Sequence, residues 1–184
     1  MSCYIRPHVP GASVFYTVNL AARGSDLLIR EIGALRRAVR KTRAERPFDI
    51  GAWVVMPDHL HAVWTMPEGD ADFSVRWGAI KARFTRSLRD RCRVGFHPTH
   101  AKRMGQAVGW NPTLRRSASK VAKGDAGIWQ RRFWEHHIRG PQEFADCVRY
   151  CHFNPVKHGF VERPEDWLYS SVHRERQLGS WEAA

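Results

Sequence analysis

The chain has 184 residues, enough for one domain with its own core and too few for two of ordinary size. Its 43% apolar and 26% charged content is that of a globular protein, which excludes a disordered or fibrous chain. Thirty Lys and Arg against 18 Asp and Glu leave a formal charge of +12, which favours a polyanionic partner, nucleic acid foremost, over a neutral ligand.

No apolar run has the length of a membrane span or the pattern of a signal peptide. The four cysteines (Cys3, Cys92, Cys147 and Cys151) form no Cys-x-x-Cys pair and no secreted disulfide pattern. The expectation is a cytoplasmic protein close to the nucleoid, with no membrane partner.

Residues 14–20, rich in β-branched and aromatic side chains, predict a first strand. Ser25 can cap the helix that follows, in which Leu28, Ile32, Leu35 and Val39 recur at helical spacing. Arg30, Arg36, Arg37, Arg40, Lys41 and Arg43 cover the rest of that helix and read as a solvated surface. Pro47 ends it, residues 48–55 form a second strand, and Met56-Pro57-Asp58 turns the chain into a third strand closed by Pro67. Ser74 caps a second helix that buries Trp77, Ile80, Phe84 and Leu88, while Lys81, Arg83, Arg86 and Arg89 add charge.

From Asp90 to Gly127 the periodicity fails: five glycines, two prolines and eight Lys or Arg describe a basic loop or insertion. Cys92, His97 and His100 lie in it without a fourth ligand, a poor zinc set. Residues 128–139 return to strand character. Gly140-Pro141 then opens a third helix with an apolar stripe of Phe144, Cys147, Val148 and Cys151, ended by Asn154-Pro155. The tail from Pro164 packs back over the domain. The order β-α-β-β-α-β-α predicts an α+β fold, the ferredoxin-like split βαβ sandwich, as one domain over 1–184 with its core at about 14–171. It comprises a four-stranded antiparallel sheet with helices, a tyrosine-bearing helix and a C-terminal tail.

Side chains alternate across a strand, so His59 and His61 share one face of the third strand and Leu60, Ala62 and Trp64 the other. The apolar trio faces the helices, which leaves the imidazoles on the more open face. Tyr150 and Asn154 lie i,i+4 on the third helix, with Tyr150 roughly 110° from the centre of the apolar stripe, at its border. Two imidazoles and an amide oxygen form a mixed set that suits Mg²⁺ or Mn²⁺ once phosphate completes the shell. Each residue alone has an ordinary explanation: a polar strand face, a helix terminator, an amphipathic packing residue. Their conjunction points to a site.

Met56-Pro57-Asp58-His59-Leu60-His61 resembles the His-hydrophobic-His motif of single-tyrosine, single-strand DNA transposases. Residues 150–159, Tyr-Cys-His-Phe-Asn-Pro-Val-Lys-His-Gly, resemble the tyrosine helix of the REP-associated tyrosine transposase branch. Residues 133–139 and Trp167-Leu168-Tyr169-Ser170-Ser171 are similar to its other blocks. The resemblance runs from about Val14 to Ser171; the Asp90–Gly127 segment is poorly matched. It implies His59, His61 and Asn154 as metal ligands and Tyr150 as the nucleophile that attacks a DNA phosphate, leaving a 5′-phosphotyrosine and a free 3′-hydroxyl. It also implies a partner of single-stranded or hairpin DNA, bound by a monomer or homodimer.

Lys81, Arg83, Arg131, Arg132, Arg139 and Lys157 are then candidates for holding phosphates, and Trp134 for stacking on an unpaired base. Trp129 and Phe133 are further stacking candidates, with sheet packing the simpler reading. One of Glu135, His136 and His137 is a candidate proton carrier. Two competing expectations stand beside this one: a metal phosphodiesterase using water, and a non-catalytic, domesticated nucleic-acid-binding regulator.

Overall fold

The computed structural model describes residues 7–94 and 126–177. Four strands, β1 (Ser13–Asn19), β2 (Asp49–Val55), β3 (His59–Thr65) and β4 (Trp134–His137), pair antiparallel in the order β2-β3-β1-β4. The helices are α1 (Leu27–Arg30), α2 (Ile32–Glu45), α3 (Phe73–Val94), α4 (Pro141–Lys157) and α5 (Val172–Gln177), with a 3₁₀ turn at Pro164–Asp166. This is the expected ferredoxin-like arrangement with a helix added on the second face of the sheet. No helix among the described residues is long and apolar enough to cross a membrane.

Strand alternation divides the core in two. Val14, Tyr16, Leu60, Ala62 and Trp64 meet α2 and α3 on one face. Trp64 stacks on Trp77 at 4.2 Å and 15°, both fully buried, so truncating either to alanine costs about 3–5 kcal/mol. On the other face Phe15, Ala52, Val54 and Val63 pack with Cys151, Phe144, Cys147 and Val148 of α4. That second face is therefore covered, not open as the alternation alone suggested.

Gly51 makes the cover fit. The β2–β3 register shifts between Ile50 and Ala52, and a Cβ at Gly51 would stand 2.6 Å from the Phe144 ring. The outer edge of β2 is covered by the tail: Val55 N–H donates to Tyr169 O (2.9 Å) and Ser171 N–H to Trp53 O (2.7 Å).

Four boundaries differ from expectation. The first helix is interrupted at Glu31, whose carboxylate pairs with Arg91 of α3 at 2.7 Å. Helix α3 continues through Val94, so Asp90–Val94 are not loop; residues 95–125, with His97 and His100, and the Cys92 side chain lie outside the described residues. Residues 128–139 give only a four-residue strand, because Ile128 and Trp129 are drawn into the core and Trp129 keeps a single bridge to Leu20.

The fourth concerns Asn154-Pro155, which does not end α4. Proline removes one N–H, but the helix continues to Lys157 and His158 N–H donates to Asn154 O at 3.0 Å, with Asn154 and Pro155 both buried. Tertiary burial overrides the local preference.

Candidate active site

Residues of β1, β3, the loop after β1 and the end of α4 line a cleft of about 620 Å³. His59 and His61 project into it from adjacent same-face positions of β3, their rings 5.1 Å apart. Tyr150 reaches it from α4, 42% exposed, with its ring edge-on to His61 (5.3 Å) and Phe15 (5.6 Å). The border position inferred from helical spacing is the one it occupies. Lys157 sets its ammonium 5.3 Å from the Tyr150 ring centroid.

Each histidine is anchored through Nδ1. Asp58 Oδ1 lies 2.7 Å from His59 Nδ1 and Thr17 Oγ1 lies 2.9 Å from His61 Nδ1. In the tautomer where Nδ1 donates, Nε2 of each ring keeps its lone pair, the state a metal ligand needs. Burial, reinforced by the charges of His59 and His158, pushes the His61 imidazole down to about 3, so it is neutral at physiological pH. Burial works to raise the Asp58 carboxyl, but hydrogen bonds from His59 and the Gly24 N–H outweigh it and hold the group below the usual range.

Asn154 is 1% exposed, and neither its amide oxygen nor its nitrogen has a hydrogen-bond partner among the described residues. It does not line the cleft. Nor do the described residues hold three or more His, Cys, Asp or Glu side chains in metal-binding geometry. With the described residues alone, an ion bound here would complete its shell with neutral or substrate oxygens. A buried amide with an unengaged oxygen fits that demand, and so do two imidazoles anchored through Nδ1.

Several lining residues are not singled out by the sequence. His158, its ring 5.4 Å from His59, stands two turns beyond Tyr150 and was hidden by ending the helix at Asn154. The spacing 150, 154, 158 was the available signal. Arg23, Thr17 and Asp58 carry no periodic signal; they enter through the loop after β1, the β1–β3 register (Thr17↔His61) and the β2–β3 turn respectively.

The basic candidates scatter. Lys81 donates to Gln130 O and sits over Trp129 and Phe133; Arg83 bonds Thr42 Oγ1 and pairs with Glu45, so both serve the α3 side, away from the cleft. Arg131, Arg132 and Arg139 are exposed around β4, and Trp134 is exposed at the edge of Phe15. Trp129 is buried and Phe133 packs against the core, which removes Trp129 as a base-stacking residue. Glu135 and His137 point to the α3 face, His137 against Phe73, whereas His136 is tied to Glu143 at 2.7 Å. None of the three lines the cleft.

A buried contact fixes α4 from behind: His152 Nε2 lies 3.0 Å from Ser171 Oγ, which also accepts Trp53 N–H at 2.9 Å. Tyr150 thus sits on a helix pinned to β2 and the tail.

No protein-family model matches the chain. Individual proteins do. A REP-associated tyrosine transposase of Escherichia coli K12 is 40% identical over 179 residues, spanning 97% of this chain and 87% of the relative. A Haemophilus influenzae protein provisionally given the same designation is 36% identical over 175 residues, 95% of this chain and 88% of that one. A solved structure of a REP-associated tyrosine transposase bound to a REP hairpin aligns with a TM-score of 0.74 and 38% identity, covering 100% of this chain and 93% of that one. Fold, cleft and relatives define a transposase-type enzyme. The chain belongs to the REP-associated tyrosine transposase family.

Proposed function

We propose that this transposase cleaves and rejoins single-stranded DNA beside a hairpin, with Tyr150 as the nucleophile. The observation that carries the reading is the 5.3 Å edge-on approach of Tyr150 to His61 in a cleft shared with His59. A phenol at neutral pH is a weak nucleophile, so it acts where positive charge and fixed geometry favour the attack. Lys157 supplies charge beside the ring, and Phe15 limits its rotation.

The step forms a bond from Tyr150 Oη to phosphorus and breaks the bond from phosphorus to the 3′-oxygen. The phenol loses its proton, and the departing oxygen gains one to become a 3′-hydroxyl. One phosphoester replaces another, so attack by a 3′-hydroxyl reverses the step without an external energy source.

His59, His61 and Asn154 are the residues that would hold Mg²⁺ or Mn²⁺, and such an ion supplies Lewis-acid polarisation of the phosphate. Asp58 and Thr17 orient the two imidazoles, while Arg23 lines the same cleft and offers a phosphate contact. Arg131, Arg132, Arg139 and Trp134, exposed around β4, are the side chains offered to the phosphates and bases of a strand. The protein binds DNA as a monomer or a homodimer.

Incubating the protein with hairpin-bearing single-stranded DNA and Mn²⁺, then running a denaturing gel, tests the reading. The expected result is a covalent adduct that disappears in Tyr150→Phe and in the His59→Ala/His61→Ala double variant. Cleavage without an adduct, unaffected by Tyr150→Phe, would replace it with a water-using phosphodiesterase; binding with neither would leave a regulator.

A further inference from the structure

A second cavity, of about 470 Å³, lies on the α2 side of the sheet, away from Tyr150. Val39 of α2 and Trp53 of β2 contribute to an apolar floor, and Tyr169 of the tail closes one side. The rim is cationic: Arg36, Arg40 and Arg43 come from α2 and Arg174 from α5, and no lining side chain is acidic.

The four guanidiniums divide into two kinds. Arg43 Nε donates to Phe48 O at 2.9 Å, and Arg174 donates to Ile50 O and Gly51 O at 3.0 and 2.9 Å, so these two are fixed at the rim by neutral carbonyls. Each also pairs with an acid at 3.9 Å, Arg43 with Asp49 and Arg174 with Glu175, so the free positive charge of the rim is that of Arg36 and Arg40. Arg36 and Arg40, one turn apart and exposed, make no hydrogen bond or ion pair with any described residue. The arginine stripe of α2 is thus more than a solvated face: it borders a hole.

The floor selects the shape of ligand. Trp53 is half-buried and nearly parallel to Trp64 (6.2 Å, 8°) and Trp77 (5.8 Å, 22°), an indole stack that holds it rigid where it lines the cavity. A bare phosphate or a metal ion would gain nothing from such a floor, and a neutral apolar ligand would strand the arginines. A flat apolar ring flanked by phosphates satisfies both.

We infer that this cavity takes one unpaired nucleotide of a nucleic-acid strand, its base against Trp53 and Tyr169 and its flanking phosphates on Arg36 and Arg40. This rests on the chain's acting on DNA but not on how Tyr150 performs the cleavage. It gives the enzyme a second grip on a strand, on the face of the sheet opposite the cleft.

The probe is a thymidine tetranucleotide carrying 5-iodouracil, photo-crosslinked to the full chain and mapped by peptide mass. The expected crosslink falls on Trp53 or Tyr169. Arg36→Gln/Arg40→Gln, two exposed positions, lowers it at least tenfold. The same double variant reduces the log–log salt slope of binding by about 1.4, because each phosphate left without its cation takes about 0.7 from a single-strand slope. Val39→Trp, which fills the floor, abolishes the crosslink, while Tyr150→Phe leaves it unchanged.

Crosslinks confined to Trp134 or Tyr150 would overturn the proposal. So would competition by hexyl phosphate equal to that by the tetranucleotide, which would mark a generic amphiphile site. Thymidine monophosphate competing as well as the tetranucleotide would reassign the cavity to a free nucleotide and overturn the strand contact. The same samples run with hairpin DNA separate the two readings: loss of the Tyr150 adduct with this crosslink intact refutes the cleavage chemistry alone.

Discussion

The Asp58 carboxylate holds His59 Nδ1 at 2.7 Å with one oxygen and accepts the Gly24 N–H at 2.8 Å with the other. A single side chain thereby ties the loop after β1 to the first histidine of β3. Gly24 has φ +73°, a backbone state that glycine adopts without strain, and this lets its N–H meet the carboxylate. Asp58→Ala is expected to weaken Mn²⁺ binding and metal-dependent cleavage by about 10–100-fold, as loss of an outer partner of a ligating histidine does. Isothermal titration with Mn²⁺ beside a cleavage assay checks it; unchanged affinity would mean that His59 needs no orienting carboxylate.

Asn154 separates a structural role from a functional one. Its buried amide has no partner among the described residues, so as a packing residue it is a poor choice. Asn154→Leu, with the same branched set of side-chain heavy atoms, is expected to raise stability by up to about 1–3 kcal/mol by removing an unsatisfied polar group, offset in part by its larger volume, while cleavage falls at least tenfold. Urea unfolding and single-turnover cleavage read the two effects separately. Full activity in the stabilised variant would remove Asn154 from the site.

The contact of Gly51 with Phe144 fixes how closely α4 approaches the sheet. Gly51→Ala puts a Cβ 2.6 Å from the ring, and the overpacking is expected to cost about 1–3 kcal/mol. Phe144→Leu in the same chain should recover part of that cost, giving a favourable coupling in a double-mutant cycle. Strict additivity would show that the strain lies elsewhere.

His152 makes stability depend on pH. Burial, with a contribution from Arg174, pushes its imidazole down to about 4 from an ordinary 6.5. The unfolded chain therefore binds this proton first, and the stability His152 contributes above pH 6.5 is lost as pH falls toward 4, by about 3 kcal/mol at roughly 1.4 per pH unit. Glu175 has the opposite sign: burial raises its carboxyl to about 6, so its penalty on the folded state is relieved on acidification. The two partly cancel in the native protein. Comparing urea midpoints at pH 7 and 4.5, His152→Gln should lose about 2–3 kcal/mol less than wild type over the same interval. Equal losses would contradict the assignment.

The fold was legible because its strands alternate cleanly. Leu60, Ala62 and Trp64 on one face and His59 and His61 on the other determine which side of β3 meets α2 and α3 and which meets α4. Tyr150 was legible for the analogous helical reason. What escaped depended on tertiary burial. Asn154-Pro155 reads as a stop, yet the helix passes through because both residues are buried; His158 was missed with that boundary. Residues 128–139 read as one strand because aromatic content does not distinguish a ladder residue such as Trp134 from a core plug such as Trp129. Lys81 and Arg83 contributed to the basic count, but counting cannot show that a cation is already engaged by Gln130 O or Glu45.

Whether Tyr150 becomes bonded to DNA is read directly by peptide mapping of the protein–DNA product. The protein is incubated with hairpin-bearing single-stranded DNA and Mn²⁺, then digested with nuclease and protease. The predicted result is a nucleotide joined through its 5′-phosphate to the peptide containing Tyr150, with an equal amount of free 3′-hydroxyl on the released strand. Cleaved DNA with an unmodified Tyr150 peptide, or a 5′-phosphate-linked nucleotide on Tyr169 instead, would contradict it.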